Sequence, residues 1–464
     1  MSRPQVPRRR DWAFVAWVAF VLVALVVFTA MVTAWAVRHA VANGKYLSPA
    51  QRQFVLAVAG FPGELRAAVW QLADVLERSP RALFFDRRAA EKPHWVRSFP
   101  SKADPGYLLL SGLDPTVHHS TVRLIRISDG AEVAKWDPDW TAIYARITDK
   151  RFAPRGSPTN ARALNPLLLA GGDIVFGTNN ALIRLGPCAR TPVWLLDEPM
   201  HHSNDFAEDS VWSPSIASDG FADNPYLRDR LRDDAIARTS LDGRLLERRS
   251  MAGILRRNGF SVLLFGMGGD ALQTDPVHLN EIRVARADTA YWKRGDLLLS
   301  ARNLSSVFLY RPSTDKIIWH KMGPWLNQHD ADFVDDHRIS VFDNNVYGGA
   351  PKDQPFVAKG DINRVFVYDF ATDALTQPFE ALLAQAKPVT FSEGRARMLP
   401  DGGLFLEETN FGRHLRFTRD QLLWSRVNDY DKDHVGVLAW SRYLTAEEAA
   451  PALQSLEKRQ CAKP

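Results

Sequence analysis

The sequence predicts an all-β chain, a six-bladed β-propeller preceded by a transmembrane helix and a short helical segment. Three observations predict it. A long uncharged run occupies the N-terminus, the apolar period changes to two beyond residue 105, and one strand–turn–strand unit recurs six times along the remainder. The elements follow in chain order.

No charged residue occurs from Trp12 to Val37. A bilayer core needs about 20 apolar residues in a helix, so residues 12–37 read as a transmembrane helix. Arg8, Arg9 and Arg10 precede it in a tail of residues 1–11, while only Arg38 and Lys45 follow closely. The positive-inside rule keeps that tail in the cytoplasm and exports the rest, giving a single-pass inner-membrane protein with a periplasmic body. Ala34-Trp35-Ala36 has the small-x-small form of a signal-peptide cleavage site. The apolar run is too long for a usual signal peptide, which favours an uncleaved anchor. Residues 38–104 read as a helical juxtamembrane segment. Ser48-Pro49 suits an N-cap and first helical position, and Leu65, Val69, Leu72, Val75 and Leu76 recur at helical spacing.

Residues 105–444 carry short apolar runs separated by Gly, Asp, Asn and Pro turns, an all-β pattern. A strand, a polar turn and a second strand often ending in Trp recur from about 122, 181, 238, 307, 364 and 414. Clear copies are Val122–Ile127 with Trp136, Ala181–Leu185 with Trp194, Val307–Tyr310 with Trp319, and His414–Phe417 with Trp424. Their spacing of 50–69 residues accommodates four strands and their turns, and radial repetition of four-stranded blades is a propeller. Residues 445–464 read as a C-terminal helical tail.

Composition excludes some classes. The 464 residues are 46% hydrophobic, with a net charge of +5. The basic residues of the body are interspersed with acids, and no basic run alternates with aromatics, so no nucleic-acid partner is expected. Cys188 and Cys461 are the only cysteines and form no CxxC. A thiolate zinc site is therefore not expected, and the two stand equally open to bridging or to remaining free.

A second repeat carries the chemistry. His202-Ser-Asn-Asp-Phe206, His278-Leu-Asn-Glu-Ile282 and His329-Asp-Ala-Asp-Phe333 share one pattern. Equivalent positions of successive blades converge on a propeller's axis, so the three histidines are expected to face one another at the channel mouth. Neutral imidazole serves there as nucleophile or metal ligand, and imidazolium binds anions. The acids Asp205, Glu281 and Asp332 read as structural residues that fix a strand corner, or as groups that orient an imidazole. Arg302 closes the apolar strand after His278, well placed to grip an anion with its guanidinium fork.

Asp275-Pro-Val-His-Leu-Asn-Glu-Ile, Leu297-Leu-Leu-Ser-Ala-Arg-Asn, Asn327-Gln-His-Asp-Ala-Asp-Phe, Phe342-Asp-Asn-Asn and the segment from Arg397 to Arg413 resemble, in this order, the bacterial arylsulfotransferase family. The resemblance spans roughly residues 105–440. It implies a six-bladed propeller that moves a sulfuryl group from an aryl sulfate to a phenol, by a ping-pong route through a sulfated histidine and without a nucleotide donor. By resemblance His329 is the nucleophile. His278 is the acid/base, with Asn280 holding a sulfuryl oxygen, and Arg302 grips the sulfate. His202, or else His201, is the third site histidine. No metal and no cofactor are implied, and no GxxxxGK motif occurs. The membrane helix stands where known members carry an N-terminal β-domain, so their dimerisation does not carry over. Two other readings compete: an aryl sulfate hydrolase, with water as acceptor, and a non-catalytic extracytoplasmic propeller that binds a ligand or acts as a scaffold. The enzyme readings require His202, His278, His329 and Arg302 to meet in one pocket.

Overall fold

The computed structural model describes residues 9–41, 46–48, 50–59, 83–86, 96–148, 158–207, 209–217, 219–267, 272–346 and 362–459. The chain divides into two compact units, Met1–Glu77 and Arg78–Pro464.

In the first unit one helix runs Arg9–Val41. Its segment Phe14–Ala40 is long and apolar enough to cross a membrane, with a mean hydropathy of 2.8 over its most apolar 18 residues. A second helix covers 50–59. Ser48 caps it as expected. Its hydroxyl accepts from Gln51 N at 3.2 Å, and Gln51 Oε1 accepts from Ser48 N at 2.9 Å, a reciprocal capping box. The predicted apolar positions from Leu65 to Leu76 lie outside the described residues.

The second unit is a six-bladed propeller of six four-stranded sheets. Blades 2 to 6 each use four consecutive strands, beginning with the inner strands Leu164–Leu168, Asp205–Ala207, Leu279–Val284, Asp330–Phe333 and Arg395–Met398. Blade 1 closes the ring. Its outer strands Tyr107–Asp114, His119–Arg126 and Glu132–Trp136 come from the start of the unit, and its inner strand Arg442–Leu444 comes from the end. The six repeats seen in the sequence are the third and fourth strands of the six blades, for instance Ser306–Arg311 with Lys316–Met322.

The apolar core lies in the seams between blades rather than on the axis. Six buried clusters fill the six seams. Leu298 and Val307 meet Ile339 and Val341 between blades 4 and 5, and Leu108, Leu110 and Ile125 meet Phe405 and Trp424 between blades 1 and 6. Burying each such side chain contributes roughly 1.5–3 kcal/mol. Six filled seams exclude an open sandwich.

The helical segment expected over 38–104 ends sooner than that. Phe84–Asp86 is a strand paired with His434–Gly436, and Ser98 N and Phe99 N both donate to Ser425 O at 3.1 Å. Pairing to an exposed edge some 350 residues later overrides a local reading, which sees no partner. The expected C-terminal helix is Ala446–Glu457, with a capping box between Thr445 and Glu448. Cys188 is disulfide-bonded; the chain's other cysteine, Cys461, lies outside the described residues.

Candidate active site

Each blade enters its inner strand through a left-handed backbone residue. These are Asn165, His202, His278, Asn327, Gly394 and Trp440, with φ of 48°, 58°, 52°, 52°, 89° and 63°. Histidine in this region is uncommon, and strained residues of this kind cluster at functional sites. The list also corrects the repeat. In blade 5 the left-handed residue is Asn327, so His329 stands two positions further along. It aligns with Asn204 and Asn280, not with His202 and His278. Strand side chains alternate with period two, so a slip of two keeps His329 facing the axis and carries it about 7 Å deeper. His329 is accordingly buried, while His202 and His278 are half-buried at the mouth.

The histidines still meet. The ring of His202 is 5.0 Å from that of His278 and 6.1 Å from that of His329 between centroids. Trp440 of the closing blade walls the cluster, 6.0 Å from His202 and 6.4 Å from His329.

Hydrogen bonds decide which nitrogen carries each proton. Asn344 Nδ2 donates to Thr390 O at 3.1 Å and Glu393 O at 2.7 Å. Its Oδ1, 2.7 Å from His329 Nδ1, can therefore only accept. His329 Nδ1 carries the proton, and Nε2 keeps a lone pair. Burial, reinforced by the charge of Arg302, holds this imidazole well below the ordinary histidine range, so it is neutral. His278 Nδ1 lies 2.6 Å from Asp275 Oδ2, which fixes its Nδ1–H and leaves Nε2 free to exchange a proton.

His201 is buried and sits behind His202. Its Nε2 lies 3.1 Å from the carbonyl of Ser215 and 3.0 Å from Nη2 of Arg232, an acceptor and a donor competing for one nitrogen. Its Nδ1 lies 2.8 Å from His202 Nδ1, so one proton is shared between the two rings. Burial together with His201 holds the His202 ring well below the ordinary range. Asp234 supports His201 from 3.5 Å and is itself held by Arg232 at 2.8 Å.

Arg302 opens a short 3₁₀ turn, Arg302–Leu304, after the second strand of blade 4. Its backbone N–H donates to His278 O at 3.0 Å. Its Nη1 donates to Asn303 Oδ1 at 2.8 Å, and among the described residues no carboxylate lies within ion-pair distance of its guanidinium. Burial lowers its pKa. With Asp275, Asn327, Leu263, Leu264 and Met267 it lines a cavity of about 490 Å³. Asn280 donates one amide N–H to Gln328 O at 2.8 Å, bracing the residue before His329.

The motif acids do not touch the imidazoles. They surround Arg283 further along the channel. Its guanidinium lies 3.3 Å from Glu281, 3.3 Å from Asp330, 3.6 Å from Asp332 and 3.7 Å from Asp205. Asp205 also accepts from Val284 N at 2.9 Å, tying blade 3 to blade 4. Their part is structural.

The reading from sequence assigned no role to Asp275, Asn344, Trp440 or Arg232. Asp275 and Asn344 stand inside segments that carried the resemblance, each near its histidine in sequence or across one hairpin. Trp440 and Arg232 stand just before the strands Arg442–Leu444 and Asp233–Ser240 and have no local signal.

Residues 201–428 match the arylsulfotransferase (ASST) family. No curated protein matches the chain. Among solved structures, a protein of unknown function from Bacteroides caccae aligns over 74% of this chain and 99% of its own, at 11% identity and a TM-score of 0.45. The WD40 β-propeller domain of Doa1 covers 77% and 96%, at 12% identity and a TM-score of 0.37. Virginiamycin B lyase from Staphylococcus aureus covers 55% and 66%, at 11% and 0.31. The histidine cluster lies within the stretch, residues 201–428, that matches the arylsulfotransferase family.

Proposed function

We propose that the chain transfers a sulfuryl group from an aryl sulfate to a phenol by a ping-pong route through sulfated His329. One observation carries this reading. The amide of Asn344, committed to two carbonyls, holds His329 in the tautomer whose Nε2 lone pair is free.

In the first half-reaction Nε2 of His329 attacks sulfur as the bond from sulfur to the aryl oxygen breaks. The aryl oxygen keeps the electron pair and takes a proton from Nε2 of His278, whose other nitrogen is anchored on Asp275. In the second, neutral His278 removes the proton of the phenol, whose oxygen attacks sulfur and returns the electron pair to His329. Arg302 carries the charge of the sulfuryl oxygens and needs no carboxylate to do so. The second amide N–H of Asn280 serves a sulfuryl oxygen. His202, neutral beside His278, lines the side of the site where the phenol enters. No step requires a nucleotide or a metal.

The apolar helix serves as an uncleaved single-pass inner-membrane anchor. Arginines at its start hold that end in the cytoplasm, and the propeller works in the periplasm.

Incubation with 4-nitrophenyl sulfate and phenol tests the reading. Nitrophenol and phenyl sulfate should form together, and with phenol omitted one sulfuryl group should remain on the peptide containing His329. Nitrophenol with inorganic sulfate in place of phenyl sulfate identifies a hydrolase. Turnover that survives His329→Ala removes His329 from the nucleophile's role, and no turnover in the wild type leaves a binding propeller.

A further inference from the structure

We propose that the seam between blade 6 and the closing blade 1 holds a binding site for a small inorganic oxyanion, separate from the histidine cluster. On the strand His119–Arg126, Val122 and Leu124 face blade 2, while Ile125 faces blade 6. Arg123, two residues before Ile125, faces blade 6 with it. On the outer strand Leu422–Val427 of blade 6, Trp424 enters the same seam and Arg426 follows two residues on. Two guanidinium groups thus enter one seam from opposite walls.

Among the described residues neither makes an ion pair within 4 Å, and Asp114 and Asp429 act on Arg123 and Arg426 only from further away. Nε and Nη2 of Arg123 and Nη1 of Arg426 are closed off from solvent with no hydrogen-bond partner. Among the described residues Arg426 makes one side-chain hydrogen bond, a long one of 3.5 Å to Asn428 Oδ1. Among the described residues the neighbouring carboxylates are otherwise engaged. Asp114 pairs with Lys135 at 2.8 Å, Asp429 with Arg97 at 2.7 Å, and Glu407 accepts from Trp440 N and Ser441 N. His414, opposite Arg426 in the ladder, leaves its Nδ1 without a partner as well.

Two like charges facing each other with buried, unpaired N–H donors are costly unless an anion joins them. The mutual repulsion, on top of burial, brings the Arg426 pKa down to about 9. Planar guanidinium forks match the oxygens of sulfate or phosphate better than a spherical halide. The site lies beside the blade built from both ends of the unit, so the bound ion acts as a clasp on ring closure.

Thermal unfolding of the full-length protein in detergent, at constant ionic strength, tests this. Sodium sulfate replacing sodium chloride should raise Tm saturably, with half the effect in the low millimolar range, and phosphate should act likewise. Arg426→Met should weaken that response at least about tenfold, since half of the bidentate grip is gone. Its Tm without sulfate should equal or exceed that of the wild type, because the repulsion is relieved. A merely structural arginine would lower it. Arg123→Gln provides the same comparison should Arg426→Met fold poorly. A sulfate response that does not saturate and is equal in the variants is general salt exclusion and overturns the proposal, as does saturation by chloride alone.

Discussion

Replacing Asn344 with alanine isolates the step that, on the proposed route, makes His329 a nucleophile. The substitution removes the acceptor for a buried Nδ1–H held at 2.7 Å. Leaving such a donor unpaired costs about 1–3 kcal/mol. The ring can then recover by moving its proton to Nε2, which withdraws the attacking lone pair. A penalty of that size in the first transition state corresponds to a rate lowered roughly 5- to 150-fold. The assay is the burst of nitrophenol in a single turnover, read below the unfolding temperature of both proteins, because the bonds of Asn344 to Thr390 and Glu393 also brace the fold. Asn344→Asp sharpens the test. A carboxylate still accepts from Nδ1–H, so the tautomer survives, but its charge raises the pKa of His329. Activity should then be low near neutrality and recover as pH rises. A burst in Asn344→Ala at the wild-type rate would refute the argument that this amide sets the nucleophile.

Other outcomes follow from the same geometry. Arg302→Gln should lower kcat/KM for the aryl sulfate about 10- to 150-fold, the worth of a charge-assisted hydrogen bond, and weaken competitive inhibition by inorganic sulfate in parallel. The acid limb of the pH profile for the first half-reaction should lie below the ordinary histidine value of about 6.5, since burial favours the neutral, attacking form of His329; a limb at or above that value refutes it. Arg283→Met should destabilise the fold by about 3–5 kcal/mol in urea unfolding, because it leaves the channel carboxylates without their common cation. Thr445→Ala should cost about 1 kcal/mol of stability with no change in kcat, because it removes the cap of a helix remote from the histidines.

Much of this fold is legible in the chain because the third and fourth strands form a hairpin that recurs in every blade and carries a Trp on its fourth strand in four of them, Trp136, Trp194, Trp319 and Trp424. The inner strands are not legible. Asp205–Ala207 and Arg442–Leu444 have three residues each and carry charges, since they line a polar channel and not a seam. The closure of blade 1 joins Leu109 to Arg442, a pairing with no local trace. The same applies to the site. The histidines announce themselves by repetition, whereas the groups that fix their protons do not. Asp275 and Asn344 are ordinary turn residues until the fold sets them against imidazoles, and Trp440 reaches the cluster only when the ring closes.

The two-residue slip of blade 5 is where the repeat broke and where the proposed chemistry gains its direction. Had His329 shared the backbone position of His202 and His278, three equivalent rings would have stood at one level, each half-exposed and each able to take a proton from water. The slip instead places one ring about a strand repeat deeper, shielded by Trp440 and the other two. A transferred group passing in line needs its nucleophile on one side and its leaving oxygen on the other. With His329 below and His278 at the mouth, sulfur would lie between them, the aryl oxygen would face the proton donor, and the aryl group would point out through the mouth. Exchanging the spent phenol for a fresh acceptor then requires no movement of the buried ring. Restoring the parent register, with histidine at 327 and asparagine at 329, would keep the composition of the cluster. It should nonetheless abolish formation of the sulfated intermediate while leaving the six seams, and hence Tm, nearly unchanged.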